Sequence, residues 1–205
     1  MVSESYKSLI SMNKILLSLS FLFTILVFKT GFCQDYAAEL SKHREKYMVE
    51  THGRFPDQKQ DFYEANERFK IIATYKKPRK PKTISVPTSG VKIKDYTEFA
   101  VVSFMVDGKK HKIMTYRPSP VLPLYKNLVF VPFKDPTAPQ ETYGGGRYMD
   151  MDTEDFKDGN VIIDFNKAYN PYCAFSDGWN CPIPPKENHL KVKIEAGEKV
   201  PLNGH

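Results

Sequence analysis

The chain has 205 residues, of which 41% are hydrophobic and 13% aromatic, and it carries a formal net charge of +6. That length suits one domain of ordinary size, and that apolar content supports a core and excludes a wholly disordered chain. From Gln34 onward the charge is only 27 − 23 = +4, too mild a balance to point to a nucleic-acid partner.

In chain order, the first segment is a leader. Lys14 precedes an apolar run of 14 residues, Ile15 to Phe28, followed by Lys29, Gly31 and Cys33. The run is shorter than the roughly 20 residues a membrane-spanning helix needs, so residues 1–33 are expected to be a cleaved signal peptide, with Met12 as an alternative start. Cleavage after Cys33 would leave Gln34 as the mature N-terminus, without a permanent membrane span. Lipidation of Cys33 is the competing reading, against which Phe32 stands where a small residue is needed. The protein is therefore expected to be exported, periplasmic or secreted.

Residues 34–68 read as an N-terminal helical segment. Tyr36, Leu40, Tyr47 and Met48 recur at spacings near three and four over Asp35 to Glu50, as on one face of an amphipathic helix. A second helical turn is expected over Asp57 to Asn66, with Asp57 as its cap and Phe62 and Tyr63 inward. The basic run Lys76, Lys77, Arg79, Lys80 and Lys82 is broken by Pro78 and Pro81, which favours an extended linker or edge strand.

Residues 69–205 are expected to form a β domain. Phe69, Ile71, Ala73 and Tyr75 alternate with period two. Phe99–Val106 and Lys112–Tyr116 flank Asp107-Gly108, a pair that accepts the positive φ angles of a tight hairpin. Leu128–Phe133, Val161–Phe165 and Leu190–Ile194 complete the strands. No helical pattern long enough for a parallel crossover separates them, so the fold class is mainly β. An antiparallel sheet should curl into a small barrel or sandwich, with one N-terminal helix.

The chemistry-bearing residues gather after Glu141. Gly144, Gly145 and Gly146 precede Arg147, and ordering each glycine costs roughly 0.5–1 kcal/mol that tight geometry must offset. A bent strand is one reading; Arg147 at the mouth of a pocket is the other. Asp164, Asn166 and Asn170 have even spacing at a strand end, bordered by Tyr169 and Tyr172, so they share one face while the strand continues. Tyr143, Arg147, Asp164, Asn166, Tyr169 and Asn170 are thus the candidate ligand-binding set, for a carbohydrate or other small polar molecule or for a protein partner. An Arg147–Asp164 pair inside the core is the structural alternative. A hydrolase-like site using Asp164 with Glu187 or Arg147 is the enzymatic one; Ser176 and His189 add no diagnostic spacing.

Cys173 and Cys181 are the only cysteines after the leader, and in an oxidising compartment they read first as a disulfide. A Cys₂His₂ metal set with His189 and His205 is the alternative, lacking the short paired spacing of a zinc finger. No cofactor is expected.

The run from Asp164 through Asn170, Pro171, Tyr172 and Cys173, the stretch Cys181-Pro182-Ile183-Pro184-Pro185, then Glu195-Ala196-Gly197-Glu198-Lys199 and the closing Gly204-His205 resemble domain-of-unknown-function family 1684. The resemblance covers approximately Phe69 to His205 and includes Val86-Pro87-Thr88. It departs at Tyr172, where the family usually has a second proline. Longer members carry a further N-terminal half with a Trp-rich segment, where this chain has a leader and a helix. Membership implies no reaction.

Overall fold

A computed structural model of the chain describes residues 35–202. The expected signal peptide and the closing Gly204-His205 lie outside the described residues. The chain divides into two compact units, Met1–Lys42 and His43–His205, and the boundary falls within a helix, α1, at 35–52. In the first unit Tyr36 and Leu40 are both buried, one helical turn apart. In the second, Tyr47 is half-buried and Met48 faces solvent, so the apolar stripe is narrower than the spacing suggests. Among the described residues no helix is long and apolar enough to cross a membrane.

Seven strands follow: β1 (Lys70–Lys76), β2 (Thr83–Pro87), β3 (Ile93–Val106), β4 (Lys109–Pro118), β5 (Leu128–Phe133), β6 (Arg147–Asp152) and β7 (Asn160–Asp164). They form one antiparallel sheet in the order β6-β5-β4-β3-β1-β7, with β2 added beside β3. The sheet curls into a half-barrel, mainly β as the sequence leads one to expect. The β3–β4 hairpin turns at Asp107 and Gly108, whose φ angles are 52° and 70°. Its long β3 takes β2 over its first half and β1 over its second, past a bulge between Glu98 and Ala100.

The core lies on one face of this sheet. Phe69, Val102, Phe104, Ile113, Val129, Val131, Phe133, Ile163 and Phe165 are nearly or fully buried there. Apolar burial is worth about 25 cal/mol per Å², so this cluster is the main favourable contribution to folding. Two segments depart from expectation. Residues 57–66 hold no helix: the chain is extended, Tyr63 donates its N–H to the Gly197 carbonyl at 3.0 Å, and Lys199 donates to Asp61 at 2.8 Å. Leu190–Ile194 is not a strand, although Leu190, Val192 and Ile194 do face the core with period two. Its Ile194 N–H goes to the Asp135 carboxylate at 2.8 Å, where a ladder would have used a carbonyl.

Candidate functional site

β5 is buried on both faces, and β6 is so from Arg147 to Met149. Val129, Val131 and Phe133 with Met149 and Met151 point into the core, so alternation turns Leu128, Phe130, Tyr148 and Asp150 to the other side. There they line a cleft of about 950 Å³, walled also by Tyr47 of α1, Tyr96 of β3, Tyr125 and Trp179. Phe130 and Asp150 are direct cross-strand partners. The rings run on from one another: Tyr96 stacks on Phe130 with centroids 5.2 Å apart, Phe130 meets Tyr148 edge-on at 4.8 Å, and Tyr148 meets Tyr169 at 5.9 Å. Tyr169 continues to Tyr47 at 5.7 Å.

Asp150 is the carboxylate of this floor. Its side chain is exposed to solvent in the cleft, and the protein packed around it pushes its pKa up to about 6; a hydrogen bond from the Tyr169 hydroxyl offsets part of the rise. The Tyr169 hydroxyl is in turn pushed well above its ordinary value by burial and by the neighbouring Asp150 charge. Backbone bonds fix this pair: Tyr148 and Tyr169 exchange N–H···O=C bonds of 2.9 Å in both directions. The Tyr148 hydroxyl is anchored on the Pro182 carbonyl.

The residues singled out from sequence separate into two groups. Tyr169, Asn166 and Asn170 line the cleft, whereas Tyr143, Arg147 and Asp164 do not. Arg147 is 1% exposed. It donates to the Asp135 carboxylate at 3.1 Å and to the carbonyls of Ile194 at 2.9 Å, Glu198 at 3.2 Å and Ala196. Its buried partner is thus Asp135, not Asp164. Asp164 caps a short 3-10 turn by accepting from the Asn166 N–H at 3.1 Å and its amide at 3.0 Å. Asn166 also bonds both backbone groups of Asn66. Asn170 donates its N–H to Glu198 at 2.7 Å and its amide to the Lys199 carbonyl at 2.6 Å. Tyr143 donates to the Cys173 carbonyl at 3.2 Å. Glu187 accepts from Tyr116 at 2.9 Å and lies outside the cleft, so Asp164 and Glu187 do not share it.

Cys173 and Cys181 form a disulfide, which uses the two thiols of the alternative metal set. The bridge secures the loop that carries Trp179 to the cleft. Among the glycines, Gly146 has a φ of 91°, and a Cβ there would lie 2.6 Å from the Phe133 carbonyl oxygen. The triplet is a turn ahead of β6, not a bent strand.

Sequence reasoning passed over Asp150, Tyr148, Asp135 and Glu198. The signal for the first two was present in Arg147-Tyr148-Met149-Asp150-Met151-Asp152: two interleaved period-two series, each with a reason to be covered. Fold and cleft together define a small half-barrel domain, with an aromatic cleft on the sheet face opposite its core. Residues 58–199 match the family described as a protein of unknown function, DUF1684, and the chain belongs to that family. The match begins eleven residues before Phe69, taking in Phe62 and Tyr63, which pair with the 197–199 segment. No curated protein matches the chain. A solution NMR structure of an uncharacterised protein from Haloarcula marismortui is similar, with 29% identity, a TM-score of 0.63, and 82% of this chain and 95% of that one covered.

Proposed function

We propose that the protein is an exported β domain that binds a small polar ligand in the Asp150 cleft. The observation that carries this reading is a solvent-facing carboxylate, its pKa raised by the protein packed around it, at the floor of an aromatic-walled cleft of about 950 Å³. Ligand sites are concave, mostly apolar and furnished with a few convergent polar groups, and an ionisable residue perturbed by its surroundings is the commonest mark of one. Tyr148, Asp150 and Tyr169 all come from the Gly144–Asn170 region. Export is supported by the leader pattern of residues 1–33 and by the Cys173–Cys181 bridge, since disulfides persist in oxidising compartments.

A thermal-shift screen of the purified protein against sugars, amines, amino acids, nucleotides and organic acids tests the binding reading, because a ligand of the folded state raises the melting temperature. A hit that Asp150→Asn abolishes is the expected result. No shift across the panel, or a hit indifferent to Asp150, rejects the cleft. Recovery of a chain beginning at Gln34 outside the cytoplasm tests export, and an intact Met1 or Met12 terminus on the bulk protein rejects it.

A further inference from the structure

We propose that the occupant of the cleft carries an alkylammonium group, seated against the Asp150 carboxylate and the rings of Phe130, Tyr148 and Tyr169. This deepens the binding function proposed above and rests on it. Three observations favour a cation over a sugar or an anion.

First, Asp150 has no cationic partner among the described residues. The influences on its carboxyl are burial and the Tyr169 hydroxyl, with no ammonium or guanidinium among them. A carboxylate that faces the cleft with one neutral hydrogen bond and no cationic neighbour leaves room for a positive charge, and a bound cation supplies it. The other charged groups of the cleft leave that deficit in place. Lys94, Lys46 and Arg44 also line the cleft, but none of them acts on the Asp150 carboxyl, and Arg44 sits 4.7 Å from the centre of the Phe62 ring. Lys167, also in the lining, contributes nothing to the Asp150 carboxyl.

Second, Asp150 is framed by π systems. Phe130 faces it across the ladder, Tyr148 stands two residues away on the same side of β6, and Tyr169 donates to it. Ring faces attract ammonium groups, and the attraction strengthens where water is excluded. An anion would meet the carboxylate at the same spot.

Third, the rings cannot easily retreat. Successive centroids from Tyr96 through Phe130 and Tyr148 to Tyr169 are 4.8 to 5.9 Å apart, and both tyrosines of the innermost pair are tied by backbone bonds. A site whose walls are already placed loses little ordering entropy on binding.

Isothermal titration calorimetry with choline and butylamine, against their uncharged analogues 3,3-dimethylbutan-1-ol and butanol, tests the inference on the unmodified protein. Choline is expected to bind about tenfold or more tightly than its isostere, the span of a desolvated cation–π contact; preference for butylamine would identify a primary amine as the source. Lowering the pH from 8 to 5 protonates Asp150 and should weaken binding by about tenfold. Asp150→Asn should reduce the preference for the charged compounds over their uncharged analogues while circular dichroism reports a folded chain. Equal affinity for the isosteres overturns the inference. So does binding of glucose or inorganic phosphate in the cleft with no response to either ammonium compound, an outcome that leaves the binding function standing. Silence toward every compound overturns both.

Discussion

Glu198 is the residue whose environment has the clearest thermodynamic consequence. It is fully buried, and it accepts from the Tyr47 hydroxyl at 2.7 Å and the Asn170 N–H at 2.7 Å through Oε2. Its Oε1 has no hydrogen-bond partner. Burial raises its pKa from an ordinary 4.5 to about 7, against the lowering effect of those donors and of Arg147. Between those two values the folded chain holds a proton that the unfolded chain has released, so this contribution is present below pH 4.5 and lost as pH rises through 7. Glu198→Gln is expected to remove that decline, gaining about 3 kcal/mol over wild type between pH 5 and 8 in urea unfolding. An unchanged pH profile would show that Glu198 is ionised when folded. No sequence pattern announces this residue: in Glu195-Ala196-Gly197-Glu198 one glutamate is half-exposed or more and the other sealed, and only tertiary contacts separate them.

At the level of elements, side-chain alternation reported burial faithfully and pairing less so. The β3–β4 hairpin and β5 could be read because their apolar periodicity agrees with their turns. β6 could not, since its core-facing series begins with a buried arginine and its other series includes an aspartate. Leu190–Ile194 shows the reverse: the right face is buried, but backbone donors are taken by Asp135 and the Lys134 carbonyl. Of the candidate site, Asn166, Tyr169 and Asn170 were named from an even spacing that assumed a continuing strand, whereas β7 stops at Asp164 and a 3-10 turn follows; Asp150 needed knowledge of which β6 face the core claims. The loop closed by Cys173 and Cys181 is an element of a different kind, its ends eight positions apart in sequence. Restricting a loop of that length in the unfolded chain stabilises the fold by roughly 2.5 kcal/mol. The double variant Cys173→Ala, Cys181→Ala should lose about that much in chemical denaturation. Equal stability of oxidised and reduced wild type would dispose of the bridge.

For the molecule as a whole, the two faces of β5 and β6 separate the core from the cleft proposed to bind a ligand. Phe133→Ala removes a fully buried core ring and should cost about 3–5 kcal/mol, seen as a large fall in melting temperature. Tyr125→Ala lies at the cleft, where the ring is 43% exposed. That change should stay within about 0.5 kcal/mol of wild type in stability. Ligand affinity should follow the opposite order, with Tyr125→Ala weakening binding in a chain that melts normally. A large stability loss at Tyr125 would mean that the cleft wall is part of the folding core.

The buried guanidinium of Arg147 also sets an order of events during synthesis. Three of its acceptors, the carbonyls of Ile194, Ala196 and Glu198, are translated 47, 49 and 51 positions after it. Until they exist, only Asp135 can neutralise the charge, and sealing a guanidinium with most of its donors unmet is costly. A growing chain is therefore expected to close the β5–β6 end of its core only once residue 198 has been made.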